Sequence, residues 1–331
     1  MISEQQIKQG LENIAVPGVM RNLGKVNLVR NVRIADHKID IDLAGKCLSE
    51  DAQKWLELKI QDEIKGMEES AEVNINLTEE TPKDINHIKN VIAVMSGKGG
   101  VGKSLVSGLT AIALKRQGYE VGIMDADITG PSIPKMFGIN KQPTFGNNVI
   151  FPVLSDSSIG VMSVNLLLPN EDEAVIWRGP LIAKMITQFW EDVLWGDLDY
   201  LVVDLPPGTA DAPLTVLQQL SVSGIIIVFT PQDLTAMIVR KAVNMAKSMN
   251  KRIIGVVENM SFFILLDSGK KFELFGKSRG EEMAKIAGAP LLARFPIDPV
   301  LVELCDNGKI ESYNSPIVDE MGQFISRITA D

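Results

Sequence analysis

The sequence predicts an α/β protein in which a mostly parallel sheet flanked by helices follows a small N-terminal α+β unit. Three observations carry that expectation. Five short apolar runs alternate with helical segments after residue 90, a glycine-rich loop joins the first run to a helix, and the region before residue 78 alternates polar and apolar residues instead. Strands covered on both faces read as continuous apolar runs, whereas a sheet with one wet face alternates. The chain has 331 residues, enough for roughly two domains, and its 45% hydrophobic residues can fill a sizeable core.

The elements follow in order. A first helix runs through Ile2, Ile7, Leu11 and Ile14, and strand-like runs follow at 26–34 and 38–43, the second placing Ile39, Ile41 and Leu43 opposite Asp40 and Asp42. A helix from Ser49 turns Leu56, Ile60, Ile64 and Met67 inward, and Val73, Ile75 and Leu77 alternate with Asn74 and Asn76 in a third strand. The order is αββαβ over residues 1–78. Residues 79–89, with Glu79, Glu80, Pro82, Lys83 and Asp84, have no apolar periodicity and read as a linker. From 90 to 331 the expected strands are Val91–Met95, Glu120–Met124, Tyr200–Val203, Gly224–Phe229 and Arg252–Val257, and a helix over Leu181–Trp195 is core or subunit contact.

Charge and cysteine usage exclude several classes. Thirty-three Lys and Arg against 42 Asp and Glu give a net charge of −9, which argues against nucleic-acid partners and anionic membranes. Cys47 and Cys305 are the only cysteines and form no CxxC pair, so one chain cannot supply four thiolates. The start MISEQQIKQGLENI lacks the basic and apolar regions of a signal peptide, and no apolar run reaches the roughly 18 residues of a membrane span, so a cytoplasmic protein is expected. His37 and His87 read as solvated.

The chemistry centres on Ser96-Gly97-Lys98-Gly99-Gly100-Val101-Gly102-Lys103-Ser104, placed between a strand and a helix. This is the G-x-x-x-x-G-K-[ST] phosphate loop: glycines let backbone N–H groups curl around phosphates, and the helix N-terminus adds a positive end. Lys103 would neutralise the β- and γ-phosphates of ATP, and Ser104 would ligate Mg²⁺. Two acidic segments follow strands on the same side. In Asp125-Ala126-Asp127, one carboxylate would orient the attacking water and the other support Mg²⁺, with Asp127 assigned to water. Asp204, in Asp204-Leu205-Pro206-Pro207-Gly208, would hold Mg²⁺ indirectly, and the Gly208 N–H would approach the γ-phosphate. Each acid could instead cap a helix. Asn259, in Glu258-Asn259-Met260-Ser261, can offer donor and acceptor to adenine or cap a turn.

Lys98 exceeds the general pattern, and with it the loop resembles the deviant Walker A ATPases. GKGGVGKS, DADITGPS, WRGP at 177–180, DLPPGTAD, TPQD at 230–233 and ENMS together resemble the Mrp/ApbC family of iron–sulfur cluster carrier ATPases, and the αββαβ region is similar to a MIP18-like cluster-assembly domain. The resemblance implies a slow Mg²⁺-dependent ATPase and a homodimer in which Lys98 reaches the partner's nucleotide. It also implies a [4Fe–4S] cluster delivered to apo-proteins or shared with assembly factors, and Arg178 near the dimer interface. The family's CxxC after the NMS motif is absent, because Leu265 and Ser268 occupy its positions. Cys47, just before a helix start, is then the candidate cluster ligand if its thiol is acidified there, or else a small buried residue. Cys305 reads as structural. The patch from Phe262 to Leu266 is expected to form a dry dimer contact. A positioning ATPase of the MinD/ParA kind and a nucleotide-gated adaptor are the alternatives.

Overall fold

The computed structural model of the chain describes residues 2–128, 130–168, 179–209, 211–232, 235–265 and 267–330, with backbone only for 179–183. Two compact units are present: Met1–Ile88 with Pro143–Pro152 and Gln188–Leu198, and Lys89–Gln142 with Val153–Thr187 and Asp199–Asp331.

The chain begins with α1 (Glu4–Glu12), α2 (Leu23–Val26), β1 (Val29–Ala35), β2 (Lys38–Leu43), α3 (Glu50–Met67), β3 (Glu72–Leu77) and α4 (Pro82–Ile85). Ser3 caps α1 with a reciprocal Gln6 contact, and Ser49 caps α3 by accepting from the Ala52 N–H at 3.4 Å. The three strands lie in the order β1-β2-β3, with β1 antiparallel and β3 parallel to β2, so α3 is a crossover helix. Its Leu56, Ile60 and Ile64 are fully buried, as the four-residue spacing predicts. Met67 departs from that prediction and is 37% exposed. It sits in the last turn, at the rim of the core, where its Cε covers Gly10 of α1.

Two later segments complete this unit. Val149, Phe151 and Leu194 belong to the same buried cluster as Leu11, Ile41 and Leu56. The Asn147 N–H donates to the Cys47 carbonyl at 2.8 Å, and a side chain on Gly146 would meet that carbonyl oxygen at 2.2 Å. The expected linker carries structure: Thr81 and Asp84 form a capping box, the Asn86 side chain donates to the Val193 carbonyl, 107 residues away, at 2.9 Å, and residues 87–89 open the next strand. The helix expected over 181–195 stops at Glu191. Beyond it the Ile150 N–H donates to Asp192 and the Leu194 N–H to Ile150, a strand-like pairing that a continuing helix could not make.

The second unit holds β4 (His87–Ser96), α5 (Lys103–Arg116), β5 (Val121–Asp125) and α6 (Ile133–Met136). After the hairpin β6 (Thr144–Gly146) and β7 (Val149–Phe151) of the first unit come β8 (Val153–Leu154), β9 (Gly160–Ser163), α7 (Gly179–Glu191, whose end from Gln188 belongs to the first unit), β10 (Asp197–Asp204), α8 (Asp211–Gln219), β11 (Gly224–Phe229) and α9 (Thr235–Ser248). The chain closes with β12 (Ile253–Glu258), β13 (Phe263–Ile264), β14 (Lys271–Phe272), α10 (Gly280–Ala287), β15 (Leu291–Arg294), α11 (Pro299–Asp306) and α12 (Pro316–Thr329). The large sheet runs β15-β12-β11-β4-β10-β5-β9-β8. Its recorded pairings are parallel except β8 against β9. The five strands expected from apolar runs are all central and buried on both faces, which is why they read so clearly. No helix among the described residues is long and apolar enough to cross a membrane.

Candidate functional site

The parallel sheet brings the acidic segments together through its strand order. β10 lies beside β5, and the register pairs Asp204 with Asp125 at their C-terminal ends. The phosphate loop leaves the end of β4 on the other side of β10, and α5 begins at Lys103. Loop, lysine and carboxylates therefore meet at the edge where open α/β sheets bind ligands.

Asp204 is the hub. Lys103 Nζ stands 2.8 Å from its Oδ1 and 3.7 Å from Asp127 Oδ2. Ser104 Oγ donates to Asp204 Oδ2 at 2.5 Å, and Ser107 Oγ donates to Oδ1 at 2.7 Å. All of these groups are buried or nearly so, so the lysine charge is compensated within the site. Ser107 escaped the sequence reading. Its signal was the spacing, since residues three and four apart on a helix share a face and place Ser104 and Ser107 on one carboxylate.

Asp125 does different work from its neighbour. Its Oδ2 accepts from the Ser132 and Ile133 N–H groups at 3.1 and 3.2 Å, and its Oδ1 accepts from the Asp127 N–H at 3.2 Å. It holds the turn that presents Asp127 beside Lys103. Burial, then the neighbouring Asp204 carboxylate, push the Asp125 carboxyl above its ordinary range.

Gly102 has a φ of +77°, and a side chain there would meet Asn259 Nδ2 at 2.1 Å. Only glycine satisfies both demands. Asn259 is 2% exposed, and its Nδ2 donates to the Val101 carbonyl at 2.9 Å, so its amide donor braces the back of the phosphate loop. At Gly97, a side chain would strike Ile238 Cγ2 at 2.1 Å. Gly99 and Gly100 are exposed at the loop tip, while the Gly208 N–H donates to the Ser96 carbonyl at 3.0 Å, a bond that ties the acidic loop to β4. Lys98 Nζ donates to Gln232 Oε1 of the same chain, a partner the sequence reading left unassigned. Arg178, expected near a subunit interface, lies outside the described residues, as do Thr129, Asp233 and Leu266.

Glu258, also unassigned from the sequence, is fully buried. It accepts from Ser261 Oγ, Ser278 Oγ and the Arg279 N–H at 2.6–2.7 Å and pairs with Arg294 Nε at 3.1 Å. This network fixes the turn after β12. The positions of the missing CxxC fall on the hairpin β13-β14, where the Leu265 N–H pairs with the Lys270 carbonyl at 2.9 Å. Within the stretch expected to form a dimer contact, Phe262 is buried beneath Lys271 Nζ, 4.4 Å from the ring centroid. Ile264, Leu265 and Phe272 remain exposed.

Cys47 belongs to the first unit and every nucleotide-loop residue to the second. Of the two readings open for Cys47, the structure supports the small buried residue. Cys47 is 6% exposed, its Sγ faces the Ala44 carbonyl at 3.2 Å, and desolvation pushes the thiol up to about 11. Ser49, not Cys47, is the helix cap, so burial outweighs any dipole effect. Cys305 is half-buried and likewise raised to about 11 by burial. Among the described residues no group of three or more His, Cys, Asp or Glu side chains could hold a metal ion. A resident cluster therefore has no ligand set in the described part of one chain.

Comparisons with known proteins agree with this geometry. The family profile described as ParA, NUBPL iron-transfer P-loop NTPase, matches residues 87–329. An iron-sulfur cluster carrier protein of Clostridium perfringens is 48% identical over 235 residues, which are 69% of this chain and 82% of that one. One from Synechocystis is 35% identical over 322 residues, covering 93% of this chain and 91% of that one, so the likeness includes the N-terminal region. The solved nucleotide-binding protein of Archaeoglobus fulgidus in complex with ADP is 44% identical with a TM-score of 0.63, over 70% of this chain and 90% of that one. Strand order, phosphate loop and sequence likeness thus converge, and the chain belongs to the ParA/NUBPL iron-transfer P-loop NTPase family.

Proposed function

We propose that this protein is a slow Mg²⁺-dependent ATPase that works as a homodimer in iron–sulfur cluster delivery to apo-proteins. The observation that carries the reading is the Asp204-centred group of Lys103, Ser104 and Ser107 at the mouth of the phosphate loop. A hydroxyl and a carboxylate side by side suit a divalent cation shared with phosphate oxygens, so Ser104 would ligate Mg²⁺ and Asp204 would hold it through water. The cation would supply charge neutralisation at the β- and γ-phosphates. Lys103 would leave Asp204 for the phosphates, Asp127 would orient the attacking water, and Asp125 would keep Asp127 in place. Lys98 would be released from Gln232 to serve a partner's nucleotide.

The cluster is cargo in this reading. The carrier names of the relatives favour it, and the buried Cys47 thiol argues that thiolates from a client or assembly factor take part in holding it. Phosphate release should be abolished in Lys103→Ala and Asp127→Ala. Anaerobic transfer of a [4Fe–4S] cluster to an apo-ferredoxin, read by absorbance, should be faster with wild type and ATP than with Lys103→Ala. Equal phosphate release in all three proteins refutes the ATPase, and equal transfer rates refute the coupling.

A further inference from the structure

The phosphate loop lies at the C-terminal ends of the strands, and a cavity of about 450 Å³ opens at their N-terminal ends, where β12 and β15 begin. Three cations line it, Lys247, Lys251 and Arg252, and no Asp or Glu does, although the chain as a whole carries a net charge of −9. Lys251 Nζ donates to the Leu220 carbonyl at 3.3 Å, whereas the Lys247 and Arg252 side chains make no hydrogen bond or ion pair among the described residues. The rest of the lining is apolar. Ile254 is buried beneath it, and Phe324 stands at the rim with 42% of its surface exposed.

The helix ends around the cavity select the charge type. α9, α10 and α12 all present their C-terminal turns here, through Lys247, Ala287 and Ile328. Such ends offer carbonyls, each terminus carrying about half a negative charge, and no N–H nest of the kind that wraps a phosphate. Three cations exceed that negative charge, and the small surplus suits a monoanion. Cavities of roughly 300–1,000 Å³ with an apolar lining and few convergent polar groups are the usual form of a small-molecule site.

We propose that this cavity binds a small carboxylate carried on an apolar body, the carboxylate held by Lys247 and Arg252 and the body lying against Ile254 and Phe324. The site is independent of the nucleotide reading, since it occupies the opposite edge of the sheet.

Titration calorimetry of octanoate into the full chain tests it, with octanol as the neutral comparator. Saturable octanoate binding is expected, with octanol at least about tenfold weaker and a Lys247→Glu/Arg252→Glu double variant weakened by about tenfold or more. Phe324→Ser, at another exposed position, should weaken octanoate and octanol alike. Phosphate release should be unchanged in both variants. Absence of saturable octanoate heat up to about 5 mM, equal binding of octanol, or wild-type affinity in the double variant would overturn the proposal.

Discussion

Alkylation of Cys47 gives a quantitative test of how its environment controls the thiol. With Cys305→Ser in place, Cys47 is the only thiol. A thiol raised to about 11 is ionised to roughly 0.1% near pH 8, whereas one at the ordinary 9.0 is ionised to about 9%, so iodoacetamide should react about 90-fold more slowly than with a free thiol. Steric cover at 6% exposure slows it further. The rate should climb about tenfold per pH unit through pH 10. The same shift has a stability consequence. The folded value lies above the unfolded one, so the stabilisation is present in full below pH 9 and is lost as pH rises toward 11, about 2.7 kcal/mol over two units. Urea midpoints should therefore fall between pH 9 and 10.5 more steeply for the Cys305→Ser protein than for the Cys47→Ala/Cys305→Ser protein. A rate plateau at or below pH 8.5 would restore Cys47 as an acidified ligand, and alkylation within threefold of free cysteine would refute burial as the controlling factor.

Other expectations are as direct. Gly102→Ala combines a left-handed φ with a side chain 2.1 Å from Asn259 Nδ2, and a strain of about 1–2 kcal/mol alone should weaken a fluorescent ATP analogue by about 5- to 30-fold. Gly118→Ala, with φ +90° and no heavy atom near, is the control that should leave that affinity unchanged. Ser107→Ala removes a donor from the buried Asp204 and should lower urea stability by about 1–3 kcal/mol, and an unchanged midpoint would remove Ser107 from the site. Leu265→Asp places a charge on the exposed hairpin, and sedimentation with ATP should then show a weaker dimer. An unchanged dimer constant would exclude this hairpin from the subunit contact.

The parts of the fold visible in the sequence are those with local signals. The phosphate loop is contiguous, and the central strands are apolar on both faces, so each declares itself within ten residues. The pairing of Asp204 with Asp125 could not be read that way, because it depends on β10 inserting between β4 and β5. Asn259 illustrates a second difficulty: an amide can serve adenine or a loop carbonyl, and its bond to Val101 beside Gly102 joins residues 158 apart in the chain, which no local spacing shows. Cys47 illustrates a third. Its position before α3 is plain from the sequence, but its burial depends in part on the hairpin at 144–151, about a hundred residues away.

That hairpin also sets an order of events during synthesis. When residues 2–88 leave the ribosome they lack Val149, Phe151 and Leu194, which share the buried cluster of the first unit. The last contributing segment ends at Leu198, 110 residues after Ile88, a delay of about 5–20 s at ordinary translation rates. Through that interval the N-terminal region carries Leu11, Ile41 and Leu56 with their packing incomplete. The first part of the chain to be made thus cannot close its core when it emerges, and it is exposed to chaperones and proteases until much of the phosphate-loop half has been translated.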